Sequence, residues 1–142
     1  MDKHTNGMPL LQDYDEIVSH IQSEVMISQA TCVDDGQKTL RCTGLWDTGS
    51  TKSCIGKDIA DRLGLKSAGK NIIATANGIT RVDTYYVNME MPNGAVVSDL
   101  IVSAADLSGD IGVLIGMDVI GQGDFHIDNG GGRTTFSFQM RT

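Results

Sequence analysis

The chain has 142 residues, a formal net charge of −7 and a hydrophobic fraction of 40%. That length suits one core rather than two, the apolar content excludes wholesale disorder, and the acidic balance argues against a nucleic-acid partner, since phosphate binding needs clustered Lys and Arg. No apolar run is long enough to cross a bilayer, and residues 1–15 lack the charged-then-apolar order of a signal peptide, so a cytoplasmic protein with no membrane partner is expected.

Residues 1–9 read as a loose leader. From Leu10 to Ile21 the apolar positions Leu10, Leu11, Tyr14, Ile17, Val18 and Ile21 follow helical spacing, with Asp13 as a cap. Residues 1–24 are therefore expected to form an amino-terminal extension, either an amphipathic helix or a pro-segment. Strands are predicted over Val25–Val33 and Lys38–Trp46, joined by Asp34-Asp35-Gly36-Gln37. Cys54–Leu65 is predicted as a helix: Ile55, Ile59 and Leu63 repeat at i, i+4, i+8, and Gly64 suits the position after its end.

Beyond the helix, β-branched residues flank Asn77-Gly78, a strong signal for a tight hairpin turn. Pro92-Asn93-Gly94 marks another turn into "AVVSDLIVSA", one long strand or a strand pair. "VLIGMDVIG" combines an apolar run, a glycine and a helical turn, and "DFHIDNGGGRTTFSFQM" closes the chain as two strands around a glycine-rich turn. Many short strands at regular spacing predict a mainly β domain.

The basic residues Lys52, Lys57, Arg62, Lys66 and Lys70 form a scatter suited to a solvated face. Three cysteines, Cys32, Cys42 and Cys54, show no paired spacing. A two-residue turn at Asp35-Gly36 would set Cys32 opposite Thr39 and Cys42 opposite Gln29, on opposite sheet faces, so free thiols are expected. Cys54 would open a helix, a position that can lower a thiol pKa, although a buried structural role is the simpler expectation. His4, His20 and His126 are too dispersed to suggest a metal site, and no metal or cofactor is expected.

The chemistry concentrates in "GLWDTGST". As a phosphate loop it has suitable glycine spacing at Gly44 and Gly49, but Ser50 stands where the anchoring lysine belongs. Asp47-Thr48-Gly49-Ser50 on its own also reads as a turn followed by a helix cap. In a third reading, it holds a carboxylate at the end of a rigid strand. Gly49 then brings its N–H to Asp47 where no β-carbon fits, Thr48 reaches across to a second subunit, and Ser50 donates to the outer carboxylate oxygen.

The order of motifs favours that third reading. "LWDTGSTKSCIGKDIADRLGL" resembles the retropepsin-like branch of the aspartic proteases: two apolar residues, Asp-Thr-Gly-Ser, then a short helix ending in Leu-Gly-Leu. "IIATANGITRVDTYYV" is similar to that family's flap hairpin, with Thr75, Ala76, Asn77, Gly78 and Ile79 at its tip. Leu114-Ile115-Gly116-Met117-Asp118 matches its apolar-apolar-Gly segment. The chain departs from the pattern in Trp46, where an aliphatic residue is usual, in a flap tip with one glycine, and in residues 1–24, which have no counterpart.

The resemblance implies a retropepsin-like domain over residues 25–142, a closed β-barrel or sandwich protomer with a flap and one or two short helices. It implies Asp47 as the catalytic acid and an extended peptide or protein as substrate, with apolar pockets near Ile72, Ile79, Val82 or Ile115. The reaction takes two carboxylates, and the chain has one Asp-Thr-Gly. "VDTY" at residues 82–85 and "GDIG" at residues 109–112 lack the pattern, so a C2 homodimer is expected to supply the second acid. Two other readings stand beside it: a non-proteolytic dimerisation or protein-binding module on the same fold, and a thiol-based redox or metal protein, which has only three unclustered cysteines in its favour.

Overall fold

Alternating burial along the strands and a closed ring of pairings define the architecture. The computed structural model describes residues 7–30 and 38–141. In chain order these form β1 (Leu10–Asp13), β2 (Gln22–Gln29), β3 (Thr39–Trp46), β4 (Cys54–Gly56), α1 (Lys57–Leu63), β5 (Gly69–Thr75), β6 (Gly78–Glu90), β7 (Val96–Ala105), β8 (Ile111–Ile115), α2 (Met117–Ile120), β9 (Gly123–Asp128) and β10 (Thr135–Met140), with a 3-10 turn at Gly130–Gly132.

Six strands close a barrel in the order β2-β3-β8-β4-β7-β6, because β6 pairs back onto β2, and β5 hangs from β6 as the outer arm of a hairpin. In β2, Ser23, Val25 and Ile27 face inward while Gln22 and Glu24 face water, the two-residue period of a strand with one buried face. Val25, Ile27, Ile55, Val87, Met89, Val113 and Ile115 meet inside, each 1% exposed or less. Removing each such side chain from water contributes roughly 1.5–3 kcal/mol.

A second sheet, β1-β10-β9, lies against the end of β3. Its registers Leu10↔Phe138, Phe136↔Ile127 and Phe138↔Phe125 put Leu10, Phe125, Phe136 and Phe138 on one face. Trp46 sits against that face, with ring centroids 5.7, 5.2 and 4.9 Å from Phe125, Phe136 and Phe138.

The mainly β expectation holds, and four local expectations are corrected. Residues 10–21 form no helix. Leu10–Asp13 is a strand that satisfies its backbone by pairing with β10, and a loop follows. The helical stripe would have buried Leu11 and Ile17, yet these are 60% and 57% exposed, while Leu10 and Ile21 enter the core. Partner availability outweighed local periodicity. The helix expected from Cys54 begins at Lys57, because Cys54–Gly56 is drawn into β4 between β7 and β8.

Strands β2 and β3 pair with Ser28 opposite Thr39 and Val25 opposite Cys42, not in the register a two-residue turn at Asp35-Gly36 would set, which puts Gln29 opposite Cys42. Cys32, Val33 and the Asp35-Gly36 turn lie outside the described residues. In the β5–β6 hairpin the turn falls on Ala76 and Asn77, one residue earlier than expected, and Gly78 opens β6 at φ +116°. The expected helix end is present: Gly64 takes the left-handed conformation at φ 64°.

Candidate active site

Parallel pairing of β3 with β8 places Trp46 beside Ile115, so both strands end at one level. The chain leaves β3 at Asp47 and β8 at Gly116, and the two turns interlock. Asp47 N–H donates to the Ile115 carbonyl at 2.9 Å, Ser50 N–H to the Asp47 carbonyl at 3.1 Å, and Met117 N–H to the Ser50 carbonyl at 2.7 Å. Gly116 makes the interlock possible, since a β-carbon there would stand 2.8 Å from the carbonyl oxygens of Ser50 and Lys52.

Within the turn, Gly49 N–H donates to Asp47 Oδ1 at 2.9 Å. A β-carbon on Gly49 would stand 3.2 Å from that oxygen, tighter than ordinary contact. This is the close approach expected of the glycine. The carboxylate is half-buried, with Thr48 and Gly49 exposed beside it. Ser50 differs from expectation: its hydroxyl donates to the Lys52 carbonyl at 2.7 Å, closing the turn on itself rather than holding the carboxylate.

The neighbouring acid, Asp118, is engaged elsewhere. Its Oδ2 accepts from Ser53 N–H at 2.9 Å and its Oδ1 from Ser53 Oγ at 2.7 Å. Ser53 is fully buried, and its hydroxyl oxygen accepts from Gly116 N–H at 2.9 Å. Asp118 therefore rivets α2 to the loop after Asp47. Neither Ser53 nor Asp118 was expected as a site residue. The aspartate stands out in "IGMD" as an acid at a helix start, but its partner lies 65 residues away and leaves no local trace.

An open hollow of about 350 Å³ flanks the acid, lined by His20, Ile21, Leu45, Trp46, Asp47, Thr48, Phe125 and Ile127 among others. Of the apolar residues expected around a substrate, Ile115 is fully buried in the barrel and faces no opening. Ile72 and Ile79 are 60% and 77% exposed. They share a face of the hairpin, because Ile72 pairs with Arg81 and Ala74 with Ile79. Along β6 that same face continues to the buried Tyr85 and Val87, so it extends the barrel's interior face outward.

Ala76, Asn77 and Gly78 are exposed at the hairpin tip, and Thr75 ends β5. This tip belongs to a different hairpin from the acid turn and joins it through the barrel wall. The hairpin base is pinned by Lys70 Nζ 2.7 Å from Asp83 Oδ1, with Ser67 Oγ donating to the same oxygen at 3.0 Å. Those hydrogen bonds, Lys70 first, hold the Asp83 carboxyl below its usual range.

Among the described residues, the thiols of Cys42 and Cys54 are poor nucleophiles. Burial pushes Cys42 up to about 11, with Glu24 and Asp58 adding to it. Cys54, on β4 rather than at the helix start, is also raised, by burial and then by the carboxylates of Asp118 and Asp47. Both stay protonated at neutral pH. His20 and His126 are exposed, and among the described residues no cluster of His, Cys, Asp or Glu is spaced to hold a metal.

A closed six-stranded barrel with an Asp-Thr-Gly turn at the level where two parallel strands end defines a retropepsin-like fold. The family model described as aspartyl protease matches residues 30–119, and the chain belongs to that family. Among solved structures, a retropepsin-like aspartic protease from Rickettsia conorii is similar at 17% identity and a TM-score of 0.57, covering 97% of each chain. The simian foamy virus (mac) protease matches 69% of this chain and 89% of its own at 19% identity and a TM-score of 0.48. No curated protein sequence matches the chain.

Proposed function

We propose that this protein is an aspartic endopeptidase in which two copies of Asp47, one from each subunit of a C2 homodimer, hydrolyse a peptide bond. The observation that carries the reading is the carboxylate itself: half-buried at the end of β3, with Gly49 N–H on Oδ1 and the turn interlocked with Gly116. Such a frame fixes an acid without neutralising it. Within the chain the neighbouring Asp118 has both oxygens committed to Ser53, which supports drawing the second acid from another copy.

Two carboxylates brought together on the two-fold axis cannot both ionise cheaply, so the pair holds one proton. The ionised member takes a proton from water, whose oxygen attacks the scissile carbonyl carbon. The protonated member donates a hydrogen bond to the carbonyl oxygen, and the proton taken from water passes from the carboxyl that received it to the leaving nitrogen as the C–N bond breaks. On this reading Thr48, exposed beside the acid, bonds across the two-fold axis. The exposed face of Ile72 and Ile79 suits an extended peptide with apolar side chains, paired along its main chain. Protonated, unpaired thiols at Cys42 and Cys54 support a reducing compartment such as the cytoplasm.

Cleavage of a mixed peptide library by wild type and Asp47→Asn, across about pH 4 to 7 and read by mass spectrometry, tests the reading. Cuts made only by the wild type are expected, with both proteins sedimenting as dimers. A folded dimer that cuts nothing at any pH would instead mark a binding module.

A further inference from the structure

The residue before the acid is wired to the amino-terminal strand. Trp46 Nε1–H donates to Ser23 Oγ at 2.9 Å. Ser23, itself buried, donates its hydroxyl proton to Gln12 Oε1. The Gln12 amide then donates to the Tyr14 hydroxyl oxygen and to the Gln22 carbonyl, each at 2.8 Å. The Trp46 backbone N–H donates to the Ile21 carbonyl at 3.0 Å. On its other side, the indole rests against Phe136 and Phe138, which β1 clamps through Gln12↔Phe136 and Leu10↔Phe138.

We propose that Gln12 and Ser23 are positioning residues for Asp47: they fix the Trp46 indole, and Trp46 fixes the strand end from which the carboxylate projects. This rests on the reading of Asp47 as the catalytic acid. Each group type suits its place in the chain. An indole can only donate, a hydroxyl accepts and passes its proton on, and a carboxamide accepts at one end and donates at the other. Replacing one link by an apolar group strands a buried polar partner, which favours rotation of the indole. Asp47 is the next residue, and a reaction between held groups tolerates little misplacement. Residues 10–23 are on this account part of the working enzyme rather than a segment to be removed.

The test uses the full chain with Ser23→Ala, Gln12→Met and Ser23→Thr, assayed on a peptide that the wild type cuts, alongside ¹H–¹⁵N spectra. The chain has one tryptophan, so one indole N–H signal reports the relay. For Ser23→Ala and Gln12→Met we expect kcat to fall about tenfold with KM little changed. The indole signal should move upfield, and the Gly49 amide, which reads the Asp47 carboxylate, should shift with it. Ser23→Thr, which keeps the hydroxyl, should restore both. A lower melting temperature with kcat per folded dimer and the Gly49 amide both unmoved would overturn the proposal. Gln12→Met leaves the β1 backbone pairing intact and serves if Ser23→Ala fails to fold. A wild type that cuts no peptide would sink the proteolytic reading instead, while the Gly49 amide would still decide the coupling.

Discussion

The Asp47 turn and the β5–β6 hairpin are built to opposite specifications. At the turn, backbone groups of Asp47 and Ser50 are bonded to β8, to α2 and to each other, Gly49 N–H holds the carboxylate, and glycines allow approaches that a side chain would block. At the hairpin tip, large apolar side chains stand in water: Ile79 is 77% exposed and Ile72 is 60%. The hairpin base is pinned by Lys70, Asp83 and Ser67, and Asn71 Nδ2 donates to Ser103 Oγ on β7 at 3.3 Å. On the proposed function, the acid needs a fixed frame, whereas the hairpin, as a cover over a long substrate, must open. Low local burial keeps that opening cheap. Rigidity and exposure are thus divided between two regions of one barrel.

The contrast can be broken most forcefully at the acid. On the proposed function, Asp47→Asn removes the proton-transfer group while keeping its shape, so peptide cleavage should fall by about 10³-fold or more with the melting temperature little changed. Gly116→Ala comes next. Its methyl would meet the Ser50 and Lys52 carbonyls at 2.8 Å, backbone atoms that cannot rotate away. We expect about 1–3 kcal/mol of destabilisation by denaturant titration, together with reduced kcat, because the same shift moves the acid turn. At the hairpin the pattern should reverse. Ile72→Ser with Ile79→Ser should leave stability within about 0.5 kcal/mol, since neither side chain is buried in the free protein. KM should rise about tenfold if substrate covers that face. Equal effects on stability from Gly116→Ala and the hairpin pair would dissolve the distinction.

Much of this was legible in the sequence where the signal is local. Asp47-Thr48-Gly49, the glycine after α1 and the turn near Asn77 all depend on residues within a few positions of each other. What failed was decided at long range. Leu10–Ile21 carried a helical stripe, yet β10 offered its backbone a ladder and the aromatic sheet offered Leu10 a pocket. Cys54–Gly56 went to β4 because β7 and β8 left a gap between them. The Ser53–Asp118 and Gln12–Ser23–Trp46 connections join residues 65, 11 and 23 positions apart, and no periodicity encodes such pairs. Trp46 was visible as an oddity before the acid. Its reason appears only once three phenylalanines and a serine surround it.

The smallest expected effect probes the wall behind the acid, at Cys42 on β3, the strand that leads into Asp47. Burial raises this thiol from 9.0 to about 11 in the folded protein. Between those values the unfolded chain has released the Cys42 proton and the folded chain has not. The unfolded state therefore binds fewer protons, and stability must fall as pH rises through that window, while it is fully present below it. Because the thiol is only partly buried, the loss should be about 1 kcal/mol. Other groups titrate in the same range, so the measurement is a difference. Urea unfolding of wild type and Cys42→Ala is compared at pH values below and above the window. The wild type should lose more stability than the variant on crossing it, and parallel losses would mean that the β3 wall is wetter than its burial indicates. A wet wall would also weaken the case that the barrel side of the acid turn is the rigid half of the molecule.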